Sequence, residues 1–580
     1  MTRRVHSASS RAQSEPPAAA WWYVGAIVVG AVLIVTASLR QAFNQNELQQ
    51  MAPYGSDRIA DIVGGTRQPP LDPLVGGLIQ HWLGIGQFQQ RLVPMLAGIG
   101  TLIFVSLLLS HLRTGRAGAF AVLVLATSPL MIRYSAYTRP YATPVFLMVL
   151  FIYATQRWMD DRRPGWLAVS CLAAFALPLT RVPESAVFLA VSAAFTVLLG
   201  LGKRLPWRTV WPVVVSCLAA LALVGYPMYR SLQRQASMYA RDEQSDLLAA
   251  IRPGMYHIRT TVVPLMADWF PWWPVVLGVA VAALVLRDSR RWLLGYWAWW
   301  AALAAPVAWL VFFHFFTGIS LESVPYRPRY LYFFLPAAVL LVAALAHAVA
   351  ERRSAPRAWR LGLTALLVAT LVGQLPATVK VLREDEDPDF ELAAKVLKDQ
   401  VPADAIVLYD NPNPIGRWRH PFIGASRYLG ESPRVRSFKV ASKDPEALSS
   451  GPIYVLLLDR RYASTLFDNP TSTWKADVPG WQSQRHGRFV LYRSTEGQSG
   501  REGLIRTSRE FGVALGPTLG CPQWAAAIRL LRSNGQREEA RALLEQMDAA
   551  TDPVDLRGLE PETRQSGSKQ CRALINRRRG

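Results

Sequence analysis

WWYVGAIVVGAVLIVTASLRQAFNQNELQQ, residues 21–50, is the stretch on which the fold turns. Its first part carries no charge before Arg40, and an uncharged apolar run of that length crosses the hydrocarbon core of a bilayer as a single helix. No small-residue cleavage site follows it and further apolar runs do, so it reads as a retained membrane helix rather than a secretory leader. Glu47 then stands a few residues beyond the end of that helix, where a carboxylate is either solvated or put to use.

Outward from this segment the same pattern repeats. Apolar runs near 21–39, 93–110, 117–132, 143–158, 166–180, 185–200, 210–227, 272–287, 292–316, 329–350 and 361–377 give about 11 spans. The chain has 580 residues, 51% apolar and only 18% charged, with 20 Trp, which excludes a disordered chain and an ordinary soluble enzyme. Its net charge is 63 − 41 = +22, a value that in a soluble protein would raise nucleic acid as a partner. The basic residues instead punctuate alternate loops: Arg113 and Arg116; Arg157, Arg162 and Arg163; Lys203, Arg204 and Arg208; Arg287, Arg290 and Arg291. Those are cytoplasmic loops by the positive-inside rule, with Arg3, Arg4 and Arg11 ahead of the first span, and no nucleic-acid partner is called for. An inside N-terminus and eleven spans put the C-terminal part outside.

Beyond residue 377 the sequence turns polar. EDPDFELAAKVLKDQV (386–401) has helical spacing and is broken by Pro402, whereas AIVLY (405–409), IYVLLLD (453–459) and RFVLYR (488–493) read as strands. WAAAIRLLRSNGQREEARALLEQMDA (524–549) reads as two amphipathic helices around Ser533, Asn534 and Gly535. The fold class expected is therefore mostly α: a polytopic membrane helix bundle with a C-terminal extracytoplasmic α/β domain and a helical appendage. The divisions are a cytoplasmic tail (1–20), a transmembrane module (21–377), the α/β domain (378–500), and a helical hairpin with a basic tail (501–580). Cys521 and Cys571 fall on the outside, where a disulfide is permitted but not required; Cys171 and Cys217 sit in apolar spans as packing residues.

Two outside loops, 40–92 and 228–271, exceed what a connection needs, and loops of that length usually carry function. LVGGLIQHWLG in the first is amphipathic and suits a helix lying at the interface. Ionisable residues gather at the outer ends of the spans: Glu47, Asp57, Asp61, Arg67 and Asp72; Arg133 and Arg139 in RYSAYTRPYA; Arg181 and Glu184 in TRVPE; Glu322, Arg327 and Arg329 in ESVPYRPRY. Carboxylate facing arginine at a membrane surface suits sugar transfer from a lipid phosphate to a hydroxyl. The carboxylate takes the acceptor proton, and the planar guanidinium holds the departing phosphate.

Glu47, GlnProProLeu at 68–71, Arg91 leading to Pro94, Arg139-Pro140-Tyr141 and Arg329-Tyr330 occur in that order. In this the chain resembles the GT-C membrane glycosyltransferases over roughly residues 20–350, and in particular the branch of protein mannosyltransferases and lipid A aminoarabinose transferases. The resemblance implies a polyprenyl-phosphate sugar donor, use at the outer face of the inner (plasma) membrane, inversion at the anomeric carbon, and a glycan, lipid or protein acceptor. It departs in two places: Asn46 stands where the family has its presumed aspartate base, and Tyr137 replaces the second acidic residue. The base is then Glu47, Asp57, Asp61 or Asp72, or the chain is inactive.

Of these, Glu47 is the leading catalytic candidate, with Asp57 and Asp72 next; Arg139, Arg327 and Arg329 are the leading donor-phosphate binders, with Arg67 a weaker one; and Tyr141, Tyr330 and Gln68 are the substrate contacts. No CxxC or His cluster has the spacing of a zinc site, and a divalent metal stays open as a cofactor. Plainer roles stand beside these. Glu47 suits a solvated position, Arg139 and Arg329 suit headgroup snorkelling, and Arg181 with Glu184 suits a local ion pair. Trp269, Trp272 and Trp273 suit an interfacial aromatic belt. A transporter of lipid-linked sugars would use the same arginines without a base, and an inactive scaffold would need neither.

Overall fold

The computed structural model describes residues 17–41, 47, 50–51, 54, 56, 58–65, 69–84, 87–239, 296–298, 300–301, 332–333, 335–350, 357–383, 390–410, 434–443, 451–458, 478–486, 489–519 and 521–549. They fall into two compact units, one of residues 1–41 and 53–384, the other of 42–52 and 385–580.

The described elements of the first unit are helices: α1 (Pro17–Arg40), α2 (Ile59–Gly65), α3 (Leu71–Leu83), α4 (Gln87–Gln90), α5 (Leu92–His111), α6 (Gly115–Ala126), α7 (Pro129–Ser135), α8 (Ala142–Asp161), α9 (Pro164–Thr180), α10 (Val182–Leu201), α11 (Trp207–Tyr239), α12 (Leu335–Ala350) and α13 (Arg357–Arg383). Among the described residues three helices are long and apolar enough to cross a membrane, Ala20–Arg40, Leu92–His111 and Glu184–Leu201, or four if the bent pair α6–α7 forms one span. Of the other runs read as spans, α9 stops at 17 residues, and 272–287 with most of 292–316 lies outside the described residues.

The bend between α6 and α7 is 59° and has a local cause. Pro129 offers no N–H, and its ring holds Ser128 in extended backbone (ψ 129°), which a helix cannot continue through. A break inside a bilayer strands carbonyls, and each must find a donor. Two side chains of α13 provide it: Gln374 Nε2 donates to Val124 O at 2.9 Å and to Thr127 Oγ1 at 2.5 Å, and Thr378 Oγ1 donates to Thr127 O at 2.6 Å. The end of α1 is treated in the same way. Arg91, 1% exposed, donates through Nη1 to Ser38 O at 3.1 Å and also to Gln41 O, so a guanidinium caps the carbonyl end of the first span. The residue picked out by its place before Pro94 thus works as a clamp between α1 and α5.

Three basic loop residues, Arg113, Arg162 and Lys203, adopt left-handed backbone (φ 56°, 58° and 53°) just past the ends of α5, α8 and α10. Glycine would fit there without strain. Basic side chains next to helix carbonyl ends are favourable in charge, and these are the loops assigned to the cytoplasmic side by their arginines.

The second unit holds α14 (Phe390–Gln400), β1 (Ile406–Asp410), β2 (Arg434–Ser437), α15 (Phe438–Ala441), β3 (Ile453–Leu458), β4 (Trp481–His486), β5 (Phe489–Ser494), α16 (Gly500–Leu519), α17 (Cys521–Ser533) and α18 (Arg537–Ala549). The sheet order is β2-β1-β3-β5-β4; β2, β1 and β3 run parallel, and β5 and β4 join them antiparallel. Leu408 opposite Val455, and Leu457 opposite Val490, set the register. Leu504 and Phe511 of α16 and Ala526 and Leu530 of α17 bury into the same core as Ile406, Val455 and Tyr492, so the helical hairpin and the sheet share one interior. The hairpin turns at Gly535, whose φ of +76° favours glycine. Asp410 closes β1. Cys521 opens α17, and Cys571 is outside the described residues.

At Gly98 of α5 the helices come close together: a Cβ there would run into Ser135 Oγ and Cβ of α7 and touch Ile34 of α1. Gly98→Val is expected to force these helices apart and to destabilise by about 1–3 kcal/mol, read as a lower midpoint of thermal unfolding in detergent; an unchanged midpoint would show that α5 and α7 do not pack this closely.

Candidate active site

Asp72 is the second residue of α3, and its burial follows from the helix it opens. Asp72, Pro73, Gly76 and Gly77 form the inward face, the two glycines letting the Tyr54 ring and Ile62 pack flat against the backbone. Leu78, Trp82 and Leu83 point outward, with Trp82 80% exposed. This is the amphipathic helix expected from LVGGLIQHWLG, and it carries an acid on its buried side.

The carboxyl of Asp72 is 5% exposed. Oδ1 accepts a hydrogen bond from Thr143 Oγ1 at 2.6 Å, and Oδ2 is buried and makes no hydrogen bond among the described residues. Burial away from water pushes its pKa up to about 6, with the Thr143 hydroxyl and, more weakly, its own backbone N–H pulling the other way. An acid balanced close to neutrality, with one oxygen anchored and the other without a hydrogen bond among the described residues, can both take and return a proton at physiological pH.

Thr143 sits in the first turn of α8, directly after Arg139-Pro140-Tyr141. The Thr143–Asp72 bond therefore joins two segments that sequence reading singled out separately, 71 residues apart: the one following GlnProProLeu and the Arg-Pro-Tyr turn. Thr138 strengthens the join by donating to Gln90 O at 3.4 Å. Arg139 lies half-buried in this turn.

Tyr141 is buried, with its ring 5.4 Å from Tyr134 and 5.8 Å from Tyr137; Tyr134 in turn lies 5.6 Å from Tyr332. The Tyr332 hydroxyl pairs with Ser135 Oγ at 3.3 Å. Arg181 covers this group, its guanidinium 4.9 Å from the Tyr141 ring centre and 5.5 Å from that of Phe333, and it forms an ion pair with Glu184 at 2.5 Å. The local pair read from TRVPE is present, and the same arginine also makes a cation–π contact to the Arg-Pro-Tyr turn. Tyr137, standing where the family has an acid, belongs to this aromatic group.

Of the other candidates, Glu47 is fully buried and falls in the second unit, whereas Asp72, Arg139 and Tyr141 fall in the first. Asp61 is exposed and accepts a hydrogen bond from Ser56 Oγ at 3.2 Å, as a solvated side chain would. Asp57, Arg67, Gln68, Arg327, Arg329 and Tyr330 lie outside the described residues, as do Asn46, Trp269, Trp272 and Trp273. Among the described residues no group of His, Cys, Asp and Glu is placed to hold a metal. Sequence reading missed Thr143, Tyr134 and Tyr332, whose roles depend on contacts between distant segments.

Residues 67–228 match the model of the dolichyl-phosphate-mannose-protein mannosyltransferase family. The matched stretch contains Asp72, Arg91, Arg139, Tyr141, Thr143 and Arg181, so the resemblance to GT-C membrane glycosyltransferases read from the motifs is found again over this part of the chain. No curated protein sequence matches the chain. Among solved structures it is similar to ArnT from Cupriavidus metallidurans, both bound to undecaprenyl phosphate and in the apo state. Each is 15% identical with a TM-score of 0.49; the match covers 82% of this chain and 97% and 98% of theirs, respectively.

The raised proton affinity of Asp72 has a consequence for stability. The folded protein holds this proton more tightly than the unfolded chain, so stability falls as pH rises from about 4 to about 6 and is level above, a cost on the order of 3 kcal/mol at neutral pH. Asp72→Asn removes the titration. Its thermal midpoint relative to the parent is expected to climb between pH 4 and pH 7 and then stay constant; a difference that does not vary with pH would show that Asp72 is not desolvated.

Proposed function

We propose that the chain is a membrane glycosyltransferase that moves a sugar from a polyprenyl-phosphate donor to an acceptor hydroxyl at the extracytoplasmic face, with inversion. The observation that carries this is the Asp72–Thr143 bond: it places a buried, near-neutral carboxyl beside the Arg139-Pro140-Tyr141 turn, within a stretch that matches a lipid-phosphate-sugar-using family. Asp72 is the base of this reading. Oδ2 takes the acceptor's proton as the acceptor oxygen bonds to the anomeric carbon; the bond from that carbon to the phosphate oxygen breaks, and the electron pair leaves with the polyprenyl phosphate. Arg139 holds the departing phosphate with its planar, permanently charged fork, joined by Arg67, Arg327 and Arg329, and Tyr141, Tyr330 and Gln68 line the sugar's side.

Asp72 is taken as the base because its hydrogen bond to Thr143 ties it to the segment that carries Arg139. The remaining features of the reading are the eleven-span topology in the inner membrane, with the sheet-bearing unit on the outer side where it helps to dock a glycan, lipid or protein acceptor.

Purified protein in liposomes with a radiolabelled polyprenyl-phosphate sugar provides the test. Transfer to an added acceptor is expected to fall at least a hundredfold in Asp72→Asn and at least tenfold in Arg139→Ala, with Arg139→Lys recovering only part because lysine cannot make the bidentate contact. Full activity in Asp72→Asn with loss in Glu47→Gln would move the base to Glu47. Passage of the labelled lipid across the bilayer with no new glycosidic bond would replace the enzyme by a transporter.

A further inference from the structure

Thr143 had no part in the sequence reading, yet among the described residues it is the side chain that hydrogen-bonds to Asp72. We propose that Thr143 is a positioning residue for Asp72, its hydroxyl fixing Oδ1 as the hydrogen-bond acceptor so that Oδ2 is the atom that exchanges the proton. This rests on the glycosyltransferase reading for its purpose, though not for its geometry. Three observations carry it. The bond is short, 2.6 Å, in the range of an O–H donor to a charged oxygen. Both ends are held by packed backbone, Asp72 by the close contacts of Gly76 and Gly77 on α3 and Thr143 by the first turn of α8. The other carboxyl oxygen is buried and makes no hydrogen bond among the described residues, so the two oxygens are chemically unlike.

An oxygen that accepts from a hydroxyl is the less basic of the pair, which directs the proton to Oδ2. The same hydroxyl stabilises the charged form against the cost of burial. Without it the carboxyl would hold its proton into the neutral range and cease to be a base at working pH. Threonine suits the task because its branched Cβ restricts rotation at χ1, so the hydroxyl keeps its direction.

Thr143→Val keeps the shape and removes the donor; Thr143→Ser keeps the donor. In full-length protein in liposomes, the protonated-carboxyl infrared band that disappears in Asp72→Asn reports the titration of Asp72 directly, and the pH profile of sugar transfer reports its use. In Thr143→Val the band is expected to persist to higher pH by about one unit, and the acid limb of the transfer profile to move with it, a roughly fivefold loss at pH 6 that closes at alkaline pH. Thr143→Ser should restore both. A purely structural threonine would lower activity at all pH values and leave the band where it was, and that result, with Val and Ser alike, would overturn the inference. A band that moves in Val and returns in Ser, in a protein that transfers no sugar, would uphold Thr143 as the partner that tunes Asp72 and overturn the glycosyltransferase reading instead.

Discussion

Backbone polar groups inside hydrocarbon cannot turn to water, and this constraint shapes the first unit more than any apolar contact does. An uninterrupted helix meets it automatically. Where the chain has to stop or bend, a side chain from elsewhere completes the set: Gln374 and Thr378 at the Ser128–Pro129 break, Arg91 at the end of α1. These donors come from 53 residues away in one case and about 250 in the others, so each also ties the order of the helices together. The break also shapes the segment that follows it. It ends α6 early and lets α7 lead into the turn that presents Tyr137, Arg139 and Tyr141.

The same constraint, applied to a side chain, gives the site its chemistry. A carboxylate is hard to bury, and Asp72 is buried with a single side-chain hydrogen bond among the described residues. Full satisfaction by several donors would make it a strong, inert acid; none at all would keep it neutral. One donor leaves it between these, where a proton is both accepted and released. The instability built into Asp72 is thus of the kind found at active sites, and the packing that sustains it is the glycine face of α3 against Tyr54 and Ile62.

Much of this was legible along the chain and some was not, for physical reasons. Apolar runs long enough to span a bilayer announce themselves, and α1, α5 and α10 lie where the runs at 21–39, 93–110 and 185–200 put them. Strands rich in Val, Leu, Ile and Tyr did the same for β1, β3 and β5, whereas β4, WQSQRH, has exposed polar residues at an edge and gives no such signal. Arg-Pro-Tyr and GlnProProLeu stood out through the family resemblance rather than through composition. What could not be read was that Thr143 meets Asp72, or that Tyr134 meets Tyr332 across nearly two hundred positions, because nothing in either segment encodes the other.

Of the two arginines near the Arg-Pro-Tyr turn, Arg181 is in the ion pair that its spacing from Glu184 suggested. Arg181 has its charge met by Glu184 at 2.5 Å and its faces met by Tyr141 and Phe333. A phosphate arriving there would compete with a carboxylate already in contact and would displace an arginine from two rings, so Arg181 is better placed to hold Tyr141 than to bind the donor. Arg139 stands in the turn itself, four residues before the threonine that grips Asp72. A phosphate held by Arg139 would sit on the segment that also orients the base, and the base and the leaving-group binder would then be fixed by one short piece of backbone. Such coupling of distance between proton acceptor and departing charge is what an in-line displacement needs.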